Sequence, residues 1–523
     1  MRTLALPRPL FLTMALPAAI LALGIAAASA DEPVTRDKVM AALPGLDELA
    51  SRIIRDDGVP GLSIAVVYQD EVVYLKGFGV RETGKPEAVD GDTVFQIASM
   101  SKPISATVVA ALVSDGVVSW DTRIADIDPG FKLHDAYPTA EVTIRDLFNH
   151  RSGLWGDAGN DLETLGFGRD EILRRVHFLK PGSSFRSAYA YSNFGITEGA
   201  VAAAWAAGLS WEDAADQKLY KPLGMASSSS RYRDFLARGN RAELHVPVNG
   251  KWTALAKRDP DPQSPGGGVS ASARDLAGWM RLVLANGKYN GSQLIQEAAM
   301  AETHLPLMYR GKNPVTGGQS FYGLGWNVEF GRYGLMWGHA GAFSQGARSN
   351  VGLSPEDQLG IVVLANAFPS GVPEGITDSF FDLVHAGHVT KDWVKDWNAV
   401  FASLFGPASA AAKERYSKPP AMPAAALPPA AYVGKYANDY IGEAEVAEGD
   451  GGLVLKLGPT LAQSFKLTHF DRDLFTYAPY SEAPNLPYAV TFAIAADQKA
   501  QAVTIEDLDG DGQGTLMRVK SGP

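Results

Sequence analysis

The spacing of apolar residues changes twice near the start of the chain. Over residues 37–55 apolar positions recur every three or four residues, which predicts an amphipathic helix ending near Asp57-Gly58. Residues 61–68 and 72–78 are rich in β-branched residues and flank a short polar turn, which predicts an antiparallel hairpin. Another apolar helix begins at or just before Ser99. This order indicates an α+β fold in which helices pack on an antiparallel sheet.

Later segments divide the chain into a large region and a small one. The large region is predicted to extend to residue 406 and to include paired strands and then helices, at 346–352, 359–366, 377–385 and 393–404. Residues 407–431 are rich in alanine and proline, a composition typical of a linker. From 432 to 523, short alternating runs between glycine and aspartate turns predict a small antiparallel β-barrel.

Composition fits a globular protein and excludes some classes of function. The chain has 523 residues, of which 46% are hydrophobic and 20% charged, enough for more than one domain. The net charge is −11 and no basic patch interrupts the sequence, so nothing favours a nucleic-acid partner. Cysteine is absent, which excludes a thiol nucleophile, disulfides and Cys-ligated metal.

The N-terminal residues resemble a secretory signal. Arg2 and Arg8 precede an apolar stretch over 9–27, and Ala28-Ser29-Ala30 forms a small-residue cleavage site. We therefore expect residues 1–30 to be removed after Ala30 and the protein to be periplasmic or secreted, the alternative being an uncleaved membrane anchor. The region that follows has no long apolar stretch, so no stable membrane insertion is expected after cleavage.

Ser99 and Lys102 are the first pair with chemical potential. On a helix they lie one turn apart, so the hydroxyl and the amine share a face. A serine hydroxyl needs a base to become a nucleophile, and a buried lysine with a lowered pKa can be that base. The free N–H groups of a helix start can also stabilise an oxyanion. On this tetrapeptide alone, a capped surface helix is the favoured interpretation.

Other candidate residues lie at later loops and strand edges. Tyr191 and Asn193, two residues apart before an Ala-rich helix, can point into one cavity, although on this segment alone a packed aromatic ring and a helix cap are the favoured explanation. His339 is flanked by small residues and can donate a hydrogen bond to a substrate. His150, beside a short helix, is assigned a structural role.

The Asp507–Gly512 stretch is the one motif that suggests a metal. It begins like a calcium loop, but the position that requires a glutamate holds Arg518. A hairpin turn is therefore predicted there, and no metal site.

Taken together and in order, these motifs resemble the serine β-lactamase and penicillin-binding-protein superfamily, in its class C and D-peptidase branch. The three motifs are Ser99-x-x-Lys102, Tyr191-Ser192-Asn193 and His339-Ala340-Gly341, and further landmarks of that superfamily lie between them (Thr143–Leu147, Ser152–Leu154, Pro265–Gly268 and Tyr322–Trp326). The resemblance implies a β-lactamase/transpeptidase-like antiparallel sheet with flanking helices and an all-helical subdomain over residues 31–406.

The resemblance also implies a covalent acyl-enzyme mechanism without metal or cofactor. Ser99 would be the nucleophile and Lys102 its base or proton shuttle. Tyr191 would exchange a proton with the leaving group and then help to activate the deacylating water. Asn193 would position Lys102 and the substrate amide. The N–H groups of Ser99 and Ala342, the latter next to Gly341, would form the oxyanion hole.

One departure from the superfamily narrows the expected substrates. Efficient β-lactamases carry Lys-Thr-Gly as the third motif, whereas this chain has His339 in place of the lysine. An imidazole is a weaker partner for a carboxylate than an ammonium group, which argues against a dedicated β-lactamase. Histidine at this place resembles D-peptidases, D-aminopeptidases and some esterases. The C-terminal region resembles the lipocalin-like domain of related peptidases, which could cover the active site or mediate contacts in a homo-oligomer.

The sequence thus leads to one main hypothesis with alternatives. The main one is an exported serine peptidase or amidase that cleaves short linear peptides, including those with D- or nonribosomal residues. A carboxylesterase acting on small acyl esters is the second, and a non-catalytic protein that binds peptidoglycan fragments is the third. A Ser–His–Asp hydrolase using His150 or His339 is a further alternative, but the sequence contains no Gly-x-Ser-x-Gly elbow to support it.

Overall fold

The computed structural model describes residues 33–56, 58–255, 257–449, 451–479 and 486–520. The predicted signal peptide and its cleavage after Ala30 lie outside these residues. From Val34 onward the chain forms one compact unit. Among the helices of the described residues, none combines the length and apolar character that crossing a membrane requires.

The α-helices are concentrated before residue 417. A single 3-10 turn, Ala98–Met100, leads directly into the second of them. The helices are α1 Arg36–Arg55, α2 Ser101–Ser114, α3 Ala136–Glu141, α4 Ile144–Phe148, α5 Asn160–Thr164, α6 Arg169–Arg175, α7 Asn193–Ala206, α8 Trp211–Ala215, α9 Lys221–Leu223, α10 Tyr232–Ala237, α11 Ser264–Gly267, α12 Ala273–Leu284, α13 Glu297–Ala301, α14 Val372–Ala386 and α15 Trp393–Tyr416.

The strands fall into two large antiparallel sheets and three small pairs. In chain order they are β1 Gly61–Tyr68, β2 Glu71–Gly79, β3 Val94–Gln96, β4 His245–Val248, β5 Lys251–Ala254, β6 Ser270–Ser272, β7 Lys288–Tyr289, β8 Ser292–Gln293, β9 Met308–Lys312, β10 Gln319–Tyr322, β11 Asn327–Gly331, β12 Gly334–Phe343, β13 Ala347–Ser354, β14 Leu359–Ala365, β15 Gly434–Asn438, β16 Gly442–Gly449, β17 Gly452–Leu457, β18 Gln463–Lys466, β19 Thr468–Asp471, β20 Leu474–Tyr477, β21 Tyr488–Ile494, β22 Ala500–Ile505 and β23 Thr515–Arg518.

The first large sheet has helices on both faces, as the sequence predicts. Its strand order is β2-β1-β14-β13-β12-β11-β10-β9. Strand β1 is buried on both sides because alternate residues enter different cores. Ile64 and Val66 pack in a cluster that includes residues of α1 and α14. Ala65 and Val67 belong to the cluster that includes residues of α2 and α12. The predicted α+β architecture and the β1–β2 hairpin are confirmed.

A helical region over residues 136–237 lies within the part of the chain between the short strands β3 and β6, which pair with each other. It contains α3 to α10, and helices α4 and α7 pack together within it. Thr143 and Asp146 form a reciprocal capping box at the start of α4. This region is the all-helical subdomain that the superfamily resemblance implies.

The second large sheet is a nearly closed barrel of nine strands. Its order is β18-β17-β16-β15-β23-β22-β21-β20-β19, and each neighbouring pair is antiparallel. The edge strands β18 and β19 follow each other in the chain with Leu467 alone between them, so the two edges of the sheet meet there. The predicted barrel is confirmed, although the sequence did not indicate β16, β18 or β19.

The Asp507–Gly512 motif lies where the hairpin interpretation places it, in the connection between the antiparallel strands β22 and β23. Asp507 accepts a hydrogen bond from the Tyr477 hydroxyl. Asp509 Oδ1 accepts one from the backbone N–H of Gly514 at 2.8 Å. These two carboxylates are therefore engaged in holding the turn and the barrel wall.

Helix α15 changes the boundary that the sequence suggested for the linker. The predicted helix ended at residue 404 and the predicted linker began at 407, whereas α15 continues to Tyr416. The segment after Pro407 is rich in alanine, which has the highest helix propensity, so the helix continues through it. The chain between α15 and the barrel is correspondingly shorter than predicted.

Candidate active site

Ser99 lies in the 3-10 turn that joins β3 to α2, as the sequence predicts for the helix start. The residue before it, Ala98, has a φ of +48°, a left-handed conformation that a non-glycine residue rarely adopts. Its neighbours hold this backbone in place. The N–H of Ile97 donates to Val269 O at 3.0 Å, and Ser349 Oγ donates to Ile97 O at 2.7 Å. The strained turn is thus fixed from two sides, a feature that clusters at functional sites.

Lys102 is fully buried on the first turn of α2, with its amine against Ser99. Nζ lies 3.0 Å from Ser99 Oγ, 2.7 Å from Asn193 Oδ1 and 2.7 Å from Gly266 O. Burial lowers the pKa of the Lys102 amine well below its usual value, because a charged ammonium group loses its hydration there.

This environment suits a general base. The Asn193 and Gly266 oxygens can only accept hydrogen bonds, so a neutral amine donates both of its protons to them. Its lone pair then faces the third neighbour, Ser99 Oγ, at a distance over which a proton can be transferred. The geometry therefore orients Lys102 to take the proton of the serine hydroxyl.

Tyr191 lies next to Ser99 on the loop that enters α7. Its ring packs on His150 at 4.6 Å between centroids, and the Lys102 amine lies 4.4 Å from the ring centre. Burial raises the pKa of the Tyr191 phenol, while a hydrogen bond with Ser99 opposes the shift. Tyr191 therefore remains protonated at ordinary pH and is able to donate a proton.

His150 supports this loop, in agreement with the structural role predicted for it. Its Nδ1 accepts a hydrogen bond from the N–H of Ser192 at 3.0 Å, and the Ser192 hydroxyl in turn caps α7. The imidazole is buried and its pKa is well below the usual value, with burial as the main cause and the Lys102 charge second. A neutral His150 therefore fixes the backbone between Tyr191 and Asn193.

Asn193 is the first residue of α7 and connects Lys102 to a neighbouring wall. Its Oδ1 faces the lysine, and its Nδ2 donates to Asn160 Oδ1 at 3.2 Å. Asn160 is held in turn because its Nδ2 donates to Asp157 Oδ1 at 3.1 Å. The Asn193 amide is therefore oriented with its acceptor atom toward the base.

His339 lies on β12, and both of its ring nitrogens contact protein groups. Its Nδ1 is 2.7 Å from Ala340 O, which can only accept, so Nδ1 carries the proton. Its Nε2 therefore accepts from the Tyr322 hydroxyl at 2.9 Å. Burial lowers the pKa of His339 to about 3, with the Lys102 charge adding to the shift. Both ring nitrogens therefore contact protein groups, and the hydrogen bond from His339 to substrate stays a prediction.

Gly341 and Ala342 continue β12 past the Ser99 turn. A Cβ at Gly341 would lie 2.0 Å from Ile97 O and 2.9 Å from Met100 N, so only glycine lets the strand approach the turn this closely. Ala342 follows and lines the same cleft as Ser99. The strand is therefore placed where an N–H of Ala342 can face a group bound to the serine.

The predicted residues are brought together at one cleft. Ser99, Tyr191, Asn193 and Ala342 line a cleft of about 2260 Å³, while Lys102, His339 and Gly341 lie behind its surface. The cleft is larger than a typical site for a small metabolite, which leaves room for an extended substrate. Part of its wall is apolar and comes from the β4–β5 hairpin, including Val246 and Trp252.

Sequence reasoning missed four residues that shape this site. Gly266 was noted only as part of the Pro265–Gly268 landmark, and the structure shows its carbonyl accepting from Lys102. Tyr322, Ser349 and Asn160 act through hydrogen bonds to His339, Ile97 and Asn193, which are far from them in sequence. Their polarity within otherwise apolar or loop segments was the available signal, but it does not identify a partner.

Two family models match the chain. A model described as Beta-lactamase matches residues 46–380. A model described as Domain of unknown function (DUF3471) matches residues 418–518, which include all strands of the barrel. The residues of the candidate site from Ser99 to Ala342 all lie within the first match.

Curated relatives of several kinds are similar to the chain. Penicillin-binding protein 4 of Amycolatopsis lactamdurans is 31% identical over 343 residues, covering 62% of this chain and 83% of that protein. Unguisins hydrolase ungD' of Aspergillus campestris is 25% identical over 401 residues, covering 73% and 72%. D-alanyl-D-alanine-carboxypeptidase/endopeptidase AmpH of Escherichia coli K12 is 22% identical over 383 residues, covering 70% and 94%.

Solved structures share the fold over nearly the whole chain. The octameric penicillin-binding protein homologue from Pyrococcus abyssi aligns with a TM-score of 0.55 and 19% identity, covering 91% of this chain and all of that one. SurE, solved with D-Leu, aligns with a TM-score of 0.53 and 20% identity, covering 92% of this chain. The common architecture therefore includes the barrel as well as the sheet and helices.

Proposed function

Because the chain belongs to the beta-lactamase family of serine hydrolases, we propose that it is a peptidase or amidase that cleaves short linear peptides through an acyl-enzyme, including peptides with D- or nonribosomal residues. The observation that carries this proposal is the Lys102 amine, buried beside Ser99 with two obligate acceptors and a lowered pKa. Activating a serine is the chemistry for which such a lysine is suited.

The proposed acylation step transfers a proton from Ser99 to Lys102 and supplies a proton from Tyr191 to the leaving group. Ser99 Oγ attacks the carbonyl carbon of the scissile amide and gives its proton to Lys102 Nζ. The oxyanion is stabilised by the N–H groups of Ser99 and Ala342. Tyr191 donates its proton to the departing nitrogen as the C–N bond breaks, and takes the proton of Lys102 in exchange. The product is an ester on Ser99 and a free amine.

Deacylation reverses these roles with water as the nucleophile. Tyr191 and Lys102 remove a proton from water as its oxygen attacks the ester carbonyl. The tetrahedral intermediate collapses, the Ser99 Oγ leaves the carbonyl carbon and takes the proton that Tyr191 and Lys102 removed from water, and the carboxylic acid departs. Acid and base are each restored, so no cofactor enters the balance.

The state of His339 supports a peptidase over a β-lactamase. A neutral imidazole whose two nitrogens are occupied gives no positive charge beside the oxyanion site for the carboxylate of a β-lactam. The names of relatives point to peptide chemistry, since they include a hydrolase of unguisins and a D-alanyl-D-alanine carboxypeptidase. One fold neighbour was solved with D-Leu.

The first experiment measures turnover of a panel of substrates by the purified protein and by its Ser99→Ala variant. The panel contains L- and D-aminoacyl amides, linear peptides, p-nitrophenyl acetate and a chromogenic cephalosporin. We expect peptide or amide cleavage that falls at least ~10³-fold in Ser99→Ala with an unchanged Tm. Ester turnover alone would favour a carboxylesterase. Silence on all substrates, or full activity of Ser99→Ala, would contradict the mechanism.

Export and assembly are part of the same proposal. The Arg residues, apolar stretch and Ala-Ser-Ala site within residues 1–30 support secretion or a periplasmic location. A homo-oligomer is supported by the octameric state named for the Pyrococcus abyssi neighbour.

A further inference from the structure

The barrel holds the short helix α5 at both of its ends. At the start of α5, the Tyr440 hydroxyl donates to Asp161 Oδ1 at 2.6 Å and accepts from the N–H of Gly159 at 3.1 Å. Tyr440 belongs to the turn between β15 and β16, and its side chain is 0% exposed. At the end of α5, Gln463 Nε2 donates to Thr164 O at 2.8 Å.

Close packing leaves α5 little room to shift. Gly458 of the barrel has a φ of +83°, and a Cβ there would lie 2.3 Å from Leu165 O just after the helix. On the other side, Gly159 has a φ of +87°, and a Cβ there would lie 2.8 Å from the Phe194 ring of α7. Helix α5 is therefore clamped between the barrel and the helix that begins with Asn193.

Asn160 connects α5 to Lys102, the proposed base, through Asn193. Its Oδ1 accepts from Asn193 Nδ2 at 3.2 Å, and Asn193 Oδ1 accepts from Lys102 Nζ at 2.7 Å. If Asn160 moved away, the Asn193 amide would lose the partner that keeps its oxygen toward the lysine. The Lys102 amine would then lose one of the acceptors that aim its lone pair at the serine.

We propose that Tyr440, from the C-terminal barrel, is a positioning residue for acylation: it fixes α5, so that Asn160 holds the Asn193 amide with its oxygen toward Lys102. The proposal rests on the proposed function, since it concerns the geometry of the same base. In this proposal the barrel affects catalysis through its contacts with α5, without contacting the substrate.

The electrostatics of the contact agree with this role. Burial raises the pKa of Asp161 to about 6, with the nearby Asp511 carboxylate adding to the shift and the Tyr440 hydrogen bond opposing it. At pH 8 Asp161 is therefore ionised in the folded protein, and its bond to the Tyr440 hydroxyl is charge-assisted. Assays are therefore run at pH 8, where Asp161 is ionised and its hydrogen bond with Tyr440 is charge-assisted.

The test compares Tyr440→Phe with Gln513→Ala at pH 8, using the best substrate of the panel. Tyr440→Phe keeps the ring and removes the hydroxyl, so we expect kcat to fall about tenfold with KM within twofold. Gln513 makes a different contact between barrel and helices, because it donates to Phe178 O at 3.5 Å and not to a residue of α5. Gln513→Ala should leave kcat unchanged, whatever its effect on Tm. Equal kcat for wild type and Tyr440→Phe overturns the proposal.

A double-mutant cycle separates positioning from general stability. If Tyr440 acts through Asn160, the Tyr440→Phe/Asn160→Ala protein should have a kcat no lower than the worse single variant. If the two substitutions lowered kcat independently, so that their effects multiplied in the double variant, the proposal would be overturned. Asp161→Asn keeps the acceptor oxygen, so its kcat should stay within threefold of wild type, whereas Asp161→Ala should behave like Tyr440→Phe. The comparison of these two Asp161 variants tests the proposal even if Tyr440→Phe does not fold.

The outcome for Ser99→Ala is read alongside these variants. If Ser99→Ala is inactive while Tyr440→Phe matches wild type, only the positioning role fails. If Ser99→Ala retains activity, the proposed function itself fails.

Discussion

Lys102 shows how one side chain acquires its chemistry from distant parts of the chain. The Ser-x-x-Lys spacing predicts that the amine faces the serine, and the structure has the two atoms 3.0 Å apart. The lowered pKa, however, follows from burial, and the two acceptors come from residues 91 and 164 positions further on. Spacing along a helix could be predicted from the sequence, but the protonation state could not.

Replacing Lys102 tests that protonation state. In the proposed mechanism Lys102 acts as a neutral amine, so kcat/KM should rise with pH along a limb that lies far below 10.5, because burial lowers the pKa of Lys102. Lys102→Arg keeps a cation that cannot lose its proton, so we expect a loss of about 10²–10⁴-fold at every pH. The measurement is the pH dependence of kcat/KM for both proteins.

The matched control is Lys218→Arg, an identical change at a lysine that pairs with Asp115 at the surface. It should keep kcat/KM within twofold, since the ion pair persists and lies outside the site. A Lys102→Arg protein with the wild-type limb would show that another group is the base.

His339 marks the limit of prediction at the residue scale. The sequence placed it beside the catalytic residues, where the structure also has it. The sequence did not indicate that Tyr322 and Ala340 would contact its two ring nitrogens, and the hydrogen bond to substrate stays a prediction. A strand position can be predicted from local pattern, whereas the partners of a buried imidazole depend on the packed fold.

At the scale of elements, local pattern was most informative where an element is apolar or well capped. Strand β1 and helix α1 have strong periodicity and were predicted nearly to their ends. Strand β16 was missed because glutamates alternate with small residues, and only Ala444 and Val446 face the barrel interior. The end of α15 was missed because a segment rich in alanine and proline is also typical of a linker.

Gly341 on β12 gives a prediction about how two elements fit together. Gly341→Ala would place a Cβ against Ile97 O and Met100 N, so β12 must move away from the Ser99 turn. We expect kcat/KM to fall about 10²-fold because the oxyanion donors separate, with about 1–3 kcal/mol lost from the free energy of unfolding. Steady-state kinetics and urea denaturation measure the two effects.

Gly331→Ala on the neighbouring strand β11 is the control. A Cβ at Gly331 meets no atom closer than Glu329 Oε1 at 3.6 Å, so activity and stability should be nearly unchanged. If Gly341→Ala retained wild-type kinetics, the close approach of β12 would have no role in catalysis.

At the scale of the whole molecule, composition suggested two domains joined by a linker, while the structure has a continuous interior. One hydrophobic cluster contains Leu162 and Leu165 beside the active site together with Tyr440 and Leu457 of the barrel. The hydrogen bonds of Tyr440 and Gln463 cross the same boundary. Contacts between regions depend on residues distant in sequence, so composition could indicate the two folds and not their common core.

This continuity predicts that the barrel and the catalytic region unfold together. Removing the barrel would expose the shared cluster, so neither part should persist at a temperature where the other has melted. The chain offers a clean way to observe this, because all 10 tryptophans lie at or before Trp397 and report only on the catalytic region. Far-UV circular dichroism reports on both regions. We expect the two signals to share one midpoint and calorimetry to give one peak; a tryptophan midpoint separated from the circular dichroism midpoint, or two calorimetric peaks, would show that the barrel folds independently.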